Sequence, residues 1–192
     1  GIPALEQTVF VHYQVINRGS QTLENFHIGH FADLEVGCNA DDVVGTDVGR
    51  NMVYAANGDD NDQDCAGDTG YGTQPPAFGM VVLKGPLLEP DLEDNTTYPV
   101  IPSYNGHGYD DGIIDNERHG LSSSSYFLRQ SPLAQMSDPE NAIQYFNYLR
   151  SIWKNNREQS YGGTGYTEES QYMRSLYMFP GDSDPAGVGT DG

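Results

Sequence analysis

Residues 33–68 read DLEVGCNADDVVGTDVGRNMVYAANGDDNDQDCAGD and carry ten carboxylates against a single cation, Arg50. Gly and Asn are interspersed among these acids, which is typical of loops rather than of regular elements. Closely spaced carboxylates repel one another unless a cation lies between them. Oxygen ligands from Asp, Asn and the backbone suit hard cations, above all Ca²⁺. The stretch therefore predicts a set of calcium-binding loops.

The acids fall into three clusters along the stretch. The first is Asp33 with Glu35, the second is Asp41 and Asp42 with Asp47, and the third extends from Asp59 to Asp68. We expect ligands mainly from the second and third clusters, where alternating residues of an extended loop place oxygens on one side. The alternative is a solvated acidic loop that binds ions only loosely. The predicted ligands in this stretch are Asp41, Asp42, Asp47, Asp59, Asp60, Asp62 and Asp64.

A second candidate calcium loop is NGHGYDDGIIDNE, at 105–117. With Gly112 at the invariant glycine of such a loop, Asp111 and Asp115 take ligand positions. His107 and Tyr109 stand where Asp or Asn should ligate. The segment is therefore interpreted either as a degenerate calcium loop or as a tight turn.

Two cysteines, Cys38 and Cys65, bracket most of the acidic stretch. Their neighbours are small or polar, which favours a disulfide over two separate buried thiols. A disulfide would stabilise the fold by roughly 3–4 kcal/mol in the chain-entropy model and would indicate an oxidising, extracellular compartment.

The predicted fold class is mainly β, an antiparallel β-sandwich with long acidic Gly-rich loops and one amphipathic α-helix near residues 138–154. We expect a single β-rich module over 1–180, with the calcium-loop insertion at about 33–70, and a flexible tail or linker at 181–192. An N-terminal strand pair is predicted on either side of a turn at 17–20, because β-branched and aromatic residues flank it. Further strands are predicted at 78–84, 121–130 and 175–179.

The helix prediction depends on two signals. Ser137 and Glu140 have the spacing of a capping box, with Pro139 in the first turn. Apolar residues then recur at steps of three and four, which predicts a buried face. That face comprises Ala142, Tyr145, Phe146, Leu149, Ile152 and Trp153.

Composition excludes several classes of function. With 28 acids against nine Lys and Arg, the formal charge is −19, which repels nucleic acid and anionic membranes. There is no apolar run of 18 residues, so we expect no membrane insertion. No nucleophile, zinc or nucleotide motif is present, and acids in hydrated loops lack the apolar pocket that a general acid needs. We therefore expect a non-catalytic protein.

The ordered succession of several motifs resembles a poorly characterised extracellular module of large secreted Bacteroidota-type proteins that carry type IX secretion sorting domains. The motifs are TVFVHYQVINRGSQTLENFHIGHFADLEVG, DDVVGTD, GYGTQPPAFGM, DGIIDNE, NAIQYFNYLRSIWK, YGGTGY and MFPGDSDP. The resemblance implies an extracellular or cell-surface location and a mostly β, calcium-stabilised module.

The sequence is therefore interpreted as a structural or adhesive extracellular module that binds Ca²⁺. The expected partners are further copies of the chain, other surface proteins, or glycans. One specific form is a homopolymeric surface fibre in which the apolar N-terminal strand, with which the chain almost begins, completes a neighbour's sheet. The alternatives are a carbohydrate-binding module and, less favoured, a glycan-acting hydrolase.

Overall fold

The protein is described by a computed structural model that covers residues 2–65, 67–96, 106–129 and 131–181. Its regular elements are a three-stranded antiparallel sheet, one short helix and three single 3₁₀ turns. The mainly-β class is thus plausible, but only one sheet lies in these ranges, and the sandwich stays a prediction. None of the helices described is long and apolar enough to span a membrane. The predicted tail lies outside the described residues beyond Gly181.

The acidic stretch, predicted to be loop, contains the first two strands, β1 (Asp42–Asp47) and β2 (Met52–Asn57). They pair from Asp42 opposite Asn57 to Asp47 opposite Met52. Asp47 ends β1 and accepts a hydrogen bond from the Arg50 amide at 3.0 Å, and Asn51 then turns the chain with a φ of 52°. The loop prediction was wrong here because Asp marks the ends of a short hairpin as readily as it marks a loop.

The third strand, β3 (Ala77–Val81), pairs with β2 and gives the order β1-β2-β3. It confirms a strand close to the predicted position, directly after Pro75 and Pro76. Burial decreases across the sheet, since Thr46 and Ala55 are each 1% exposed whereas Phe78 is 44% exposed.

The predicted N-terminal strand pair does not form. Residues 9–35, which we call the N-terminal arm, contain no strand and make no backbone–backbone hydrogen bond with other described residues. Alternating apolar residues predict a strand, but they do not specify its partner. The second half of the arm packs instead on the helix region, because Gly29 closely approaches Leu149 and Phe31 stacks on Phe127 with ring centroids 5.5 Å apart.

The helix α1 spans Ala142–Tyr148 and is much shorter than the predicted 138–154. Asn141, not Ser137, is its N-cap and accepts from the Gln144 amide at 3.1 Å. The Ser137 hydroxyl donates to Ala134 O in the preceding 3₁₀ turn. Past the helix, Ser151 adopts a φ of 54°, which right-handed helix does not allow.

The core is built around this short helix. Trp153 is 1% exposed and packs with Met136 and Tyr148, and its indole N–H donates to Gly165 O at 2.9 Å. The predicted buried face is correct for Trp153 but wrong for Ala142 and Tyr145, which are exposed, because the helix buries Asn147 and Tyr148 instead. The predicted strands at 121–130 and 175–179 do not form in the described residues, which exclude Gln130. The two segments are still joined by a hydrogen bond from Ser124 N to Leu176 O at 3.0 Å.

Candidate functional site

The disulfide between Cys38 and Cys65 is confirmed, with Cα atoms 5.5 Å apart. Beside it lies Asp62, which is 1% exposed. The Asp62 carboxylate accepts from the Cys38 amide at 2.9 Å and from the Tyr71 amide at 2.7 Å. The Asp62 and Gly72 backbones also bond reciprocally at 2.9 Å. Asp62 thus joins three chain segments at the disulfide.

Other predicted ligands likewise accept hydrogen bonds from backbone amides. Asp59 accepts from Asn61 N at 2.7 Å and Asp64 from Gly70 N at 3.0 Å. In the second candidate loop, Asp111 accepts from Ile113 N at 2.9 Å. Asp115 accepts from the backbone amides of Asp91 and Leu92 at 2.8 and 2.9 Å. These carboxylates therefore satisfy the donors of irregular backbone.

The nine predicted ligands are not gathered into one cluster. Asp60 is exposed and Asp41 half-buried, while Asp47 caps the turn after β1. Within the ranges that the structure describes, no three His, Cys, Asp or Glu side chains are grouped so as to hold a metal ion. A cation would therefore need amide or backbone oxygens as well as carboxylates.

One predicted ligand, Asp42, lies in a setting that suits a cation. Its Oδ2 accepts from Val36 N at 2.8 Å, whereas its Oδ1 is buried without a hydrogen-bond partner. Asn57, opposite Asp42 in the hairpin, also has a buried Oδ1 without a partner. A carboxylate and an amide oxygen are both acceptors and cannot bond each other. The pair therefore requires a donor or a cation between or beside its members.

Two further buried acceptors without partners occur near the second candidate loop. Asp94 Oδ2 accepts from Gly112 N at 2.6 Å, but Asp94 Oδ1 and Asn116 Oδ1 are buried without partners. Glu117 nearby is 2% exposed and accepts from Asn95 N at 2.5 Å. Sequence reasoning missed Asn57, Asp94 and Asn116, because only the hairpin register and the loop packing distinguish them from other polar residues.

The N-terminal arm forms the largest exposed apolar stretch among the described segments. Val9 is 85% exposed and Phe10 64% exposed. Comparable exposure continues along the arm at Val11, Tyr13, Val15, Ile16, Leu23, Phe26 and Ile28. Single exposed apolar residues are ordinary, but a continuous row of them marks an interaction surface.

His27 lies where the arm meets α1. Its ring is 5.5 Å from the Phe146 ring in an edge-on arrangement. Burial, and to a lesser degree the nearby positive charge of Arg150, lowers the pKa of His27 from its ordinary value of 6.5. Protonation therefore weakens this contact between arm and helix.

The two edges of the sheet differ. Thr46 in β1 donates from its amide to Phe179 O at 3.3 Å and from its hydroxyl to Met178 O at 2.7 Å, so residues of the C-terminal half cover that edge. In β3, four of the five residues are exposed.

Comparison with protein families, curated proteins and solved structures found no match to this chain.

Proposed function

We propose that this chain is a non-catalytic extracellular structural or adhesive module that associates with further copies of itself. The observation that carries the proposal is the N-terminal arm, which has exposed apolar side chains and makes no backbone–backbone hydrogen bond within the described residues. A subunit of a homopolymeric surface fibre needs such a segment, because an added strand supplies both hydrogen bonds and apolar contact.

Exposure of the arm is energetically unfavourable in an isolated molecule. Extended apolar segments with unpaired backbone groups pair readily with other strands, and proteins normally shield them. The apolar surface of the arm gains free energy only when another surface covers it, at roughly 25 cal/mol per Å². An assembly therefore accounts for the arm better than a monomer does.

We further propose that Ca²⁺ stiffens the module at the open end of the β1–β2 hairpin. Asp42 Oδ1 and Asn57 Oδ1 would contribute two of the several oxygens that the ion needs. The acidic residues Asp41 and Asp59 lie close to this pair in sequence and would add negative charge. A hard cation would satisfy these two buried acceptor oxygens, which have no hydrogen-bond partner among the described residues.

The proposed location is outside the cell or on its surface. The Cys38–Cys65 disulfide supports an oxidising compartment. The resemblance to modules exported by type IX secretion is in agreement with this location. An assembly built from an acidic protein would also remain soluble in the presence of anionic surfaces, which repel it.

Sedimentation velocity over a range of protein concentrations, with Ca²⁺ present, tests self-association. We expect species larger than the monomer to increase with concentration. The substitution Val11→Lys should remove them, because it places a charge in the apolar row of the arm. Gln14→Lys is the matched control, since it adds the same charge to an already polar position of the same segment.

Two outcomes would contradict the proposed function. One is a monomer at every concentration. The other is equal loss of assembly in the Val11 and Gln14 variants, which would indicate a general charge effect rather than a specific apolar contact. Both variants should retain the melting temperature of the parent chain, since neither side chain is buried.

A further inference from the structure

We propose that the free edge of β3 receives residues 9–16 of a second copy as an added strand. This inference rests on the proposed function and names the two surfaces that meet. Joining the arm of one chain to the sheet of the next makes a head-to-tail contact, which each further chain can repeat.

The acceptor is the edge of the sheet that the described residues leave open. β3 is the last strand in the order β1-β2-β3, and the opposite edge is covered at Thr46 by the backbone of Met178 and Phe179. Phe78 and Val81 are 44% and 46% exposed. An edge strand with exposed apolar side chains is a template for a further strand.

The donor has one apolar row and one mixed row of side chains. In residues 9–16 the apolar row consists of Val9, Val11, Tyr13 and Val15, and the mixed row consists of Phe10, His12, Gln14 and Ile16. Successive side chains of an extended segment point to opposite faces, so one face is wholly apolar. Placed beside β3, this row would extend the face on which Ala55 is buried and would cover Phe78.

Charge favours these two segments as the contact between copies. Two copies of a chain with a formal charge of −19 repel each other over most of their surfaces. No acid occurs between Glu6 and Glu24, which includes the donor, or between Asp68 and Glu89, which includes β3. These segments can approach each other without bringing carboxylates together.

Thiol cross-linking between two singly substituted proteins tests the pairing. Val11→Cys in one protein and Phe78→Cys in another are mixed and treated with a short bis-maleimide reagent, with the native disulfide intact. We expect the heterodimeric adduct to exceed either homodimeric adduct. Gln21→Cys replaces the donor thiol as a matched control, because it lies in the same arm outside the pairing segment, and its adduct with Phe78→Cys should be lost.

The other outcomes overturn the inference in distinguishable ways. If sedimentation shows assembly but Val11→Cys cross-links mainly to itself or not at all, β3 is not the acceptor, although self-association stands. If a chain carrying both substitutions forms an internal adduct at high dilution, the arm covers its own sheet edge. If no assembly occurs, this inference and the proposed function both fail. Near-ultraviolet circular dichroism of Phe78→Cys verifies that the acceptor remains folded.

Discussion

At the scale of single residues, the carboxylates of this chain mostly serve the backbone. Asp62 is the clearest case, since its two carboxylate oxygens accept hydrogen bonds from the backbone amides of Cys38 and Tyr71. A chain with so few regular elements has many backbone donors that no ladder satisfies, and short acidic side chains supply the acceptors. A high content of acidic residues therefore indicates irregular backbone that needs hydrogen-bond acceptors as much as it indicates cation binding.

Gly37 tests the packing around Asp62. Gly37 has a φ of 74°, and a β-carbon there would overlap the Asp62 carboxylate, whereas Gly72 has a φ of 72° with nothing within 4 Å. Gly72→Ala should cost about 1–2 kcal/mol, the ordinary penalty of a left-handed alanine. Gly37→Ala should cost clearly more, as measured by urea unfolding. Equal losses in the two variants would show that the carboxylate does not occupy this space.

Asp62→Asn tests whether both carboxylate oxygens are needed as acceptors. The substituted amide group presents donors to one of the two backbone amides, so a loss of about 1–3 kcal/mol in unfolding free energy is expected. Asp60→Asn at the exposed neighbouring site should change stability by no more than about 0.5 kcal/mol. A tolerated Asp62→Asn substitution would argue against this hydrogen-bond assignment.

At the scale of elements, sequence patterns located some features and misjudged others for physical reasons. The disulfide and β3 were predicted, because small or polar residues flank the two cysteines and two prolines directly precede the apolar run of β3. The sequence predicts calcium loops where β1 and β2 form, because the Asp residues at the ends of β1 and after β2 resemble loop ligands. It predicts a strand pair in the arm, because alternating side chains indicate a strand without indicating where its hydrogen-bond partner lies.

The contact between the arm and α1 should depend on pH. Because the pKa of folded His27 lies below its ordinary value of 6.5, the folded state binds fewer protons than the unfolded state. Stability from this contact is therefore present above about pH 6.5 and is lost as the pH falls through the lowered value. The ring resonances of Phe146, followed by NMR, should report the loss of contact.

Two substitutions make the pH test specific. His27→Phe keeps an aromatic ring against Phe146 and should abolish the pH dependence of that contact. His12→Phe, in the exposed first part of the same arm, should leave the dependence unchanged. An unchanged titration of the Phe146 resonances in the His27 variant would assign the effect to a different group.

At the scale of the whole molecule, the disulfide and the proposed cation would both hold the acidic segments together. The disulfide constrains the unfolded chain, and the proposed cation would neutralise part of a formal charge of −19. The sequence predicted calcium in the acidic stretch but could not select the pair Asp42 and Asn57. That pair depends on the hairpin register, and partnerless buried oxygens are visible only once the chain is folded.

Calcium should raise the melting temperature of the parent chain relative to a chelator. At a hundredfold excess over the Kd, binding contributes about 2.7 kcal/mol. For a chain of this size each kcal/mol corresponds to roughly 2–4 °C. Differential scanning calorimetry measures the shift, and identical curves with and without Ca²⁺ would contradict the proposed site.

Asp42→Asn gives a sharper form of this test. The substituted amide removes a charge needed for the ion, but it supplies a donor for the unpaired Asn57 oxygen. The variant should therefore lose its response to Ca²⁺ while remaining at least as stable as the parent chain in chelator. Asp60→Asn, with the same loss of charge at an exposed site, should retain most of the response.

On the proposed assembly, residues 9–16 change from a segment without strand partners in the single molecule to a paired strand. Amide hydrogen exchange of this segment, measured at increasing protein concentration with Ca²⁺ present, tests it most directly. We expect rapid exchange from Val9 to Ile16 at high dilution and slow exchange in the assembled state. Slow exchange already present at high dilution, or rapid exchange that persists in the assembly, would contradict it.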